Sequence, residues 1–149
     1  MKTKRLLPTT YLLIAMIVMV AMNFLFPVAM IIPPLWNLLG ILLVILGILI
    51  DLAADRQFHR ASTTVKPFEE SNALVTDGIF RITRNPMYLG FVIVLIGIAI
   101  LLRSLSPYLV IIAFVILIQR MFITVEEHML AEKFGESWRV YQQSTRQWL

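Results

Sequence analysis

Apolar residues fall in four runs separated by polar or proline-containing breaks. The first extends from Leu6 to about Ile32, the second from Leu35 to about Leu52, the third from Pro86 to Leu102 and the fourth from Pro107 to Phe122. A run of about 17–25 apolar residues is long enough to cross a bilayer as a helix. Each run has a proline at or near its start (Pro8, Pro34, Pro86, Pro107), where the missing N–H costs nothing. The pattern predicts an all-α integral membrane chain with four transmembrane helices at about 8–32, 35–52, 86–102 and 107–122. The last two sit at the short limit, so they should stand steeply or thin the bilayer. Arg103-Ser104-Leu105-Ser106 is so short a link that these two must be antiparallel neighbours. Pro27 should kink or end the first span. Asn23, the strongly polar side chain at depth there, reads as a helix–helix hydrogen bond. Gly40 and Gly47, and again Gly90 and Gly97, lie seven apart, two turns on one face, and predict close helix packing.

The polar segments have their own grammar. Asp51, Asp55, Arg56, His59 and Arg60 read as a helical extension of the second span into water. The whole stretch 53–85 is then a cytoplasmic loop. Its part from Ala61 to Thr83 keeps no periodicity, and a loop of that length suggests a lid or binding segment. Leu74-Val75 before Asp77-Gly78 suggests a short extended piece ending in a turn. In the final segment, 123–149, Glu127, Leu130, Phe134, Trp138 and Tyr141 are spaced 3, 4, 4 and 3, one face of an amphipathic helix lying at the membrane surface. Gly135 should break it in two.

Composition supports the membrane reading and narrows the chemistry. The 149 residues are 59% hydrophobic and 15% charged, with mean hydropathy +0.83, outside the range of soluble domains. The net charge of +4 is a topology signal rather than a nucleic-acid footprint. Lys2, Lys4 and Arg5, then Arg56, Arg60, Lys66, Arg81 and Arg84, then Arg120, Lys133, Arg139 and Arg146 all fall on one side, against Arg103 on the other. Under the positive-inside rule both termini are cytoplasmic, and a prokaryotic cytoplasmic membrane is expected. The chain has no cysteine, and His59 and His128 lack ligand spacing, so no metal site is expected.

Two stretches carry chemistry. Asn85 before Pro86 should cap the third span, so that the N–H groups from Met87 onward, helped by Arg84, favour an anion. Arg120, Thr124 and Glu127, at spacings of four and three, predict a polar stripe where the fourth span leaves the membrane. Ionisable groups at that depth are costly unless paired or facing a cavity, which makes the stripe a site hypothesis. No Gly-x-Gly-x-x-Gly is present, which excludes a soluble Rossmann-type cofactor site.

The run Arg84-Asn85-Pro86-Met87-Tyr88-Leu89-Gly90, followed by an apolar hairpin and Glu126-Glu127, resembles the signature of the isoprenylcysteine carboxyl methyltransferase and phospholipid methyltransferase family. The likeness runs from about Ser62 to the C-terminus and includes Leu74 to Gly78 and Phe134-Gly135. It implies an integral-membrane methyltransferase that uses S-adenosylmethionine on a lipophilic acceptor, such as an isoprenylcysteine-like carboxylate, a phospholipid or a small lipophilic metabolite. It further implies a cofactor site built from Gly78, Arg84, Asn85, Pro86, Tyr88, Leu89, Gly90, Glu126 and Glu127. Arg84 would take the cofactor's carboxylate and Glu126 or Glu127 its ammonium. Arg120 would orient the acceptor and, with Glu127, form the catalytic pair. The loop from Leu74 to Ile79 and the C-terminal helix are the candidates for the adenine pocket. Asn85 departs from the His of the eukaryotic isoprenylcysteine enzymes, which weakens the inheritance of a prenylated-protein substrate. The alternatives are an NADPH-dependent membrane reductase of related architecture, and a non-enzymatic scaffold or lipid-binding protein.

Overall fold

A computed structural model describes residues 6–64, 69 and 71–149. Lys2, Lys4, Arg5, Lys66, Pro67 and Glu70, which entered the charge and loop readings, lie outside the described residues. The chain forms α1 (Pro8–Leu25), α2 (Leu39–Arg60), α3 (Pro86–Leu102), α4 (Pro107–Ile118), α5 (Thr124–Phe134) and α6 (Glu136–Ser144). Short 3-10 turns precede α2 (Trp36–Leu38) and α3 (Gly78–Arg81), and a π-helical turn, Gln119–Ile123, joins α4 to α5. Extended pairing among the described residues is limited to two isolated bridges.

Three stretches are long and apolar enough to cross a bilayer: Pro8–Leu25, Trp36–Arg60 and the continuous Pro107–Phe134. The apolar α3, at 17 residues, is shorter. It packs antiparallel along α2, and here the four glycines meet in pairs. A Cβ on Gly47 would lie 2.6 Å from the Gly90 carbonyl oxygen, and one on Gly97 would lie 2.6 Å from that of Gly40. Lipid offers no hydrophobic force between helices, so such backbone-to-backbone approach is what holds them. Asp51, expected in water, is half-buried instead, with its Oδ1 against Gly90 and without a hydrogen-bond partner.

The first helix ends at Leu25, well short of Ile32. Pro27 supplies no N–H to continue it, and the chain becomes a strap across the α3–α4 link. Ile31 and Ile32 N–H groups donate to the Arg103 carbonyl, and Leu105 N–H donates to that of Ala29. Arg103 adopts φ 67° and returns a bond from Nε to the Ile32 carbonyl at 2.9 Å. Asn23 accepts from the Ser104 hydroxyl at 2.6 Å, so its polar partner lies in this link.

The bundle core is aromatic and aliphatic. Met19, Leu95, Ile118, Phe122 and Ile123 are fully enclosed, and Tyr88 packs between Phe91 and Phe122. A second cluster of Ala54, Phe80, Trp138 and Tyr141 ties α6 to the end of α2 and the turn before α3. Gly135, at φ 50°, makes the sharp break between α5 and α6 that lets α6 fold back.

Candidate functional site

Between the N-terminal ends of α1 and α3, the end of α2, the loop preceding α3, and helices α5 and α6 lies a cavity of about 600 Å³. That volume is within the range of about 300–1,000 Å³ typical of small-molecule sites. Apolar side chains form most of it, among them Phe58, Leu74, Val75, Phe80, Met87, Phe91, Met129, Leu130, Trp138 and Tyr141. Trp138 meets Tyr141 edge-on at 5.8 Å between centroids. The Tyr141 hydroxyl donates to the Phe80 carbonyl at 2.7 Å. Burial raises the Tyr141 pKa above its ordinary value, keeping the proton this bond needs.

Six of the expected residues line this space: Arg84, Asn85, Pro86, Tyr88, Glu126 and Glu127. Their pairing differs from the expectation. Arg84 and Glu127 do not face each other across an open gap; they form an ion pair, Nε to Oε1, at 3.0 Å, with side chains only 9% and 15% exposed. Arg84 Nη1 donates in addition to the backbone carbonyls of Gln142 (3.0 Å) and Thr145 (2.6 Å). These two carbonyls belong to the C-terminal end of α6, where orphan acceptors and the negative dipole end favour a cation. The guanidinium also stands 5.8 Å from the centre of the Trp138 ring. Nη2 is the nitrogen left over for a further acceptor.

Glu126 is partnered differently. Its Oε1 accepts from the Tyr88 hydroxyl at 2.7 Å, and no cation pairs with it among the described residues. One residue step along a helix rotates the side chain by about 100°, so the two glutamates point into different surroundings. Glu127 is spent on Arg84; Glu126 is the acid at the cavity wall that has no cationic partner among the described residues.

Asn85 does not cap α3 with its side chain. Its Nδ2 instead donates to the Gln147 carbonyl at 3.1 Å, and its N–H reaches Thr83 Oγ1 at 3.2 Å. The helix still starts at Pro86, and Met87 and Tyr88 line the cavity beside its N-terminus.

Gly78, Leu89, Gly90 and Arg120 lie outside the cavity lining. Gly78, at φ 58°, is the first residue of the 3-10 segment, and a Cβ there would overlap the Gln57 amide. Leu89 is buried within α3, and Gly90 faces α2. Arg120 is exposed, as is Thr124, whose hydroxyl donates to the Gln119 carbonyl at 2.8 Å. The stripe Arg120–Thr124–Glu127 assumed α-helical spacing. The π turn inserts one extra residue per turn between α4 and α5 and rotates Arg120 off the Glu127 face. Sequence reasoning had no counterpart for the tail residues Thr145 and Gln147, which belong to no periodic pattern.

Comparisons with known proteins bear on the family and the fold. Residues 35–137 match the family model described as phospholipid methyltransferase. Protein-S-isoprenylcysteine O-methyltransferase A of Arabidopsis thaliana is 32% identical over 110 residues, covering 70% of this chain and 54% of that protein. Its B counterpart is 34% identical over the same shares. The chain thus spans about half the length of these curated relatives. A solved structure of the eukaryotic intramembrane Ras methyltransferase, isoprenylcysteine carboxyl methyltransferase, aligns with TM-score 0.70 and 24% identity over 95% of this chain and 51% of that one. That likeness establishes a shared all-helical membrane fold.

Proposed function

The chain belongs to the phospholipid methyltransferase family, and on that premise we propose that it is a membrane-embedded methyltransferase acting from S-adenosylmethionine on a lipophilic acceptor. The observation that carries this reading is the Tyr88–Glu126 pair in the wall of a largely apolar cavity, an acid with no cationic partner among the described residues. A ligand with an ammonium group and a cationic sulfur supplies the missing charge, and the aromatic walls accept both its base and its sulfonium. The donor set therefore fits this cofactor.

Glu126 would hold the ammonium, with the Tyr88 hydroxyl fixing its orientation. Arg84 Nη2 and the N–H groups of Met87 and Tyr88 at the start of α3 would take the carboxylate. Leu74, Phe80, Trp138 and Tyr141 would enclose the adenine. S-adenosylmethionine, when bound, supplies a methyl group on a positively charged sulfur whose leaving group is a neutral thioether. The protein's part is alignment and exclusion of water, and neither needs a nucleophilic side chain. The apolar end of the cavity, at Leu7, Pro8 and Phe91, suits a lipophilic acceptor: an isoprenylcysteine-like carboxylate, a phospholipid or a small lipophilic metabolite. Four spans, with both termini and the α2–α3 loop in the cytoplasm, would bring the cofactor from water and the acceptor from the bilayer.

The test is thermal unfolding of the detergent-purified protein with S-adenosylhomocysteine, followed by mass spectrometry of membrane lipids after incubation with isotopically labelled S-adenosylmethionine. A raised midpoint that Glu126→Gln abolishes, and label in a lipid, are expected. No stabilisation of the wild type by S-adenosylhomocysteine overturns the reading.

A further inference from the structure

Residues 145–148 form no helix, yet they lie against the most polar part of the cavity wall. The Arg84 N–H donates to the Arg146 carbonyl at 2.9 Å, and Thr83 bridges to Arg146 in parallel sense. The fully buried Thr83 donates its hydroxyl to the Gln147 carbonyl at 3.0 Å, and Asn85 Nδ2 reaches the same oxygen. The Gln147 side chain goes the other way. Its Nε2 donates to Glu127 Oε2 at 3.0 Å, and its Oε1 accepts from Gln119 Nε2 at 3.1 Å. The Trp148 indole donates to Gln119 Oε1 at 3.0 Å and closes the chain of bonds.

Glu127 therefore has both oxygens engaged, Oε1 by Arg84 and Oε2 by Gln147. A carboxylate held from both sides cannot swing to meet a ligand without breaking a charge-assisted bond. We propose that Gln147 is a positioning residue: its side chain clamps Glu127, and through it Arg84, so that Glu127 is a fixed strut and the neighbouring Glu126 alone is presented to the ligand. This rests on the methyltransferase reading only for the identity of the ligand; the clamp is a property of the protein by itself.

The bonding pattern allows a charge-swap test. Gln147→Glu keeps the size of the side chain and both backbone contacts but sets a second carboxylate against Glu127. Glu127→Gln removes the charge that pairs with Arg84. Combined, the two substitutions leave all three bonds satisfied, with the one between positions 127 and 147 reversed in direction. The amide at 127 accepts from Arg84 and donates to the carboxylate at 147, which still accepts from Gln119. Affinity for S-adenosylhomocysteine is measured by titration calorimetry on the full chain in detergent, with the unfolding midpoint of each unliganded variant alongside.

Each single variant is expected to weaken binding by about ten-fold or more, the size of one hydrogen bond to a charged group, and to lower the midpoint. The double variant is expected to recover most of both, the non-additivity of two residues that share one hydrogen-bond network. If Glu127 is itself a ligand contact, the double variant will bind as weakly as Glu127→Gln alone, and the proposal fails. Should the wild type not bind S-adenosylhomocysteine, the function reading falls. The clamp is then decided by the midpoints, where additive losses overturn it and recovery upholds it.

Discussion

The Tyr88 hydroxyl on α3 donates a 2.7 Å hydrogen bond to Glu126 on α5, joining two residues 38 apart in sequence. The Tyr88 ring is held independently, against Phe91 at 6.2 Å and Phe122 at 6.3 Å between centroids. Tyr88→Phe should therefore keep the packing and lose only the donor. We expect the affinity for S-adenosylhomocysteine to fall by roughly ten-fold or more, from the ~1.5–3 kcal/mol of a hydrogen bond to a charged group. The unfolding midpoint should move little. An unchanged binding isotherm would remove Glu126 from the ligand site.

The two adjacent glutamates should separate in their phenotypes. Glu126→Gln replaces a buried acid that no cation pairs among the described residues, so the unliganded protein should be as stable as the wild type or more so. Its affinity should drop by about 30-fold or more, corresponding to the ~2–5 kcal/mol lost when one partner of a buried charge pair is truncated. Glu127→Gln should lower the midpoint as well as the affinity, because the 3.0 Å pair to the nearly enclosed Arg84 is lost. Calorimetric titration and thermal unfolding of both variants, side by side, check this.

Close packing of α2 on α3 sets where the Arg84–Tyr88 segment sits. A Cβ at Gly47 would stand 2.6 Å from the Gly90 carbonyl and 2.7 Å from a Val94 methyl, so the helices must part. Gly47→Ala should cost about 1–3 kcal/mol, as overpacking does in a filled core. Because α3 moves with its N-terminal turn, ligand affinity should fall too. A variant with wild-type midpoint and affinity would mean that the helices separate at no cost.

The opposite end of the bundle provides the contrasting case. Arg103 pins the strap after α1 through its 2.9 Å bond to the Ile32 carbonyl, and it lies outside the cavity lining. Arg103→Ala should destabilise by about 1.5–3 kcal/mol, as loss of a hydrogen bond from a charged donor does, and leave ligand affinity within about two-fold. An affinity loss as large as that of Tyr88→Phe would show that the two ends are coupled.

What sequence alone determined here is whatever depends on local pattern. The four apolar runs, the proline starts, the break at Gly135 and the paired glycine spacings are legible because solvent, lipid and backbone geometry act on each segment separately. The motif from Arg84 to Gly90 and the Glu126-Glu127 pair are legible too, as residue types in order. Tertiary structure decided which partner each polar group takes. Arg84 draws its acceptors from Thr145 and Glu127, 61 and 43 residues away, and Asn85 gives its amide to the tail rather than to its own helix. Arg120 left the expected face because a single π turn shifts the register of everything beyond it, and the end of α1 became a strap because the Arg103 carbonyl took its N–H groups. A polar side chain in a dry interior binds whichever acceptor the fold brings within about 3 Å, and that neighbour is set by the packing of distant segments, which no spacing along the chain encodes.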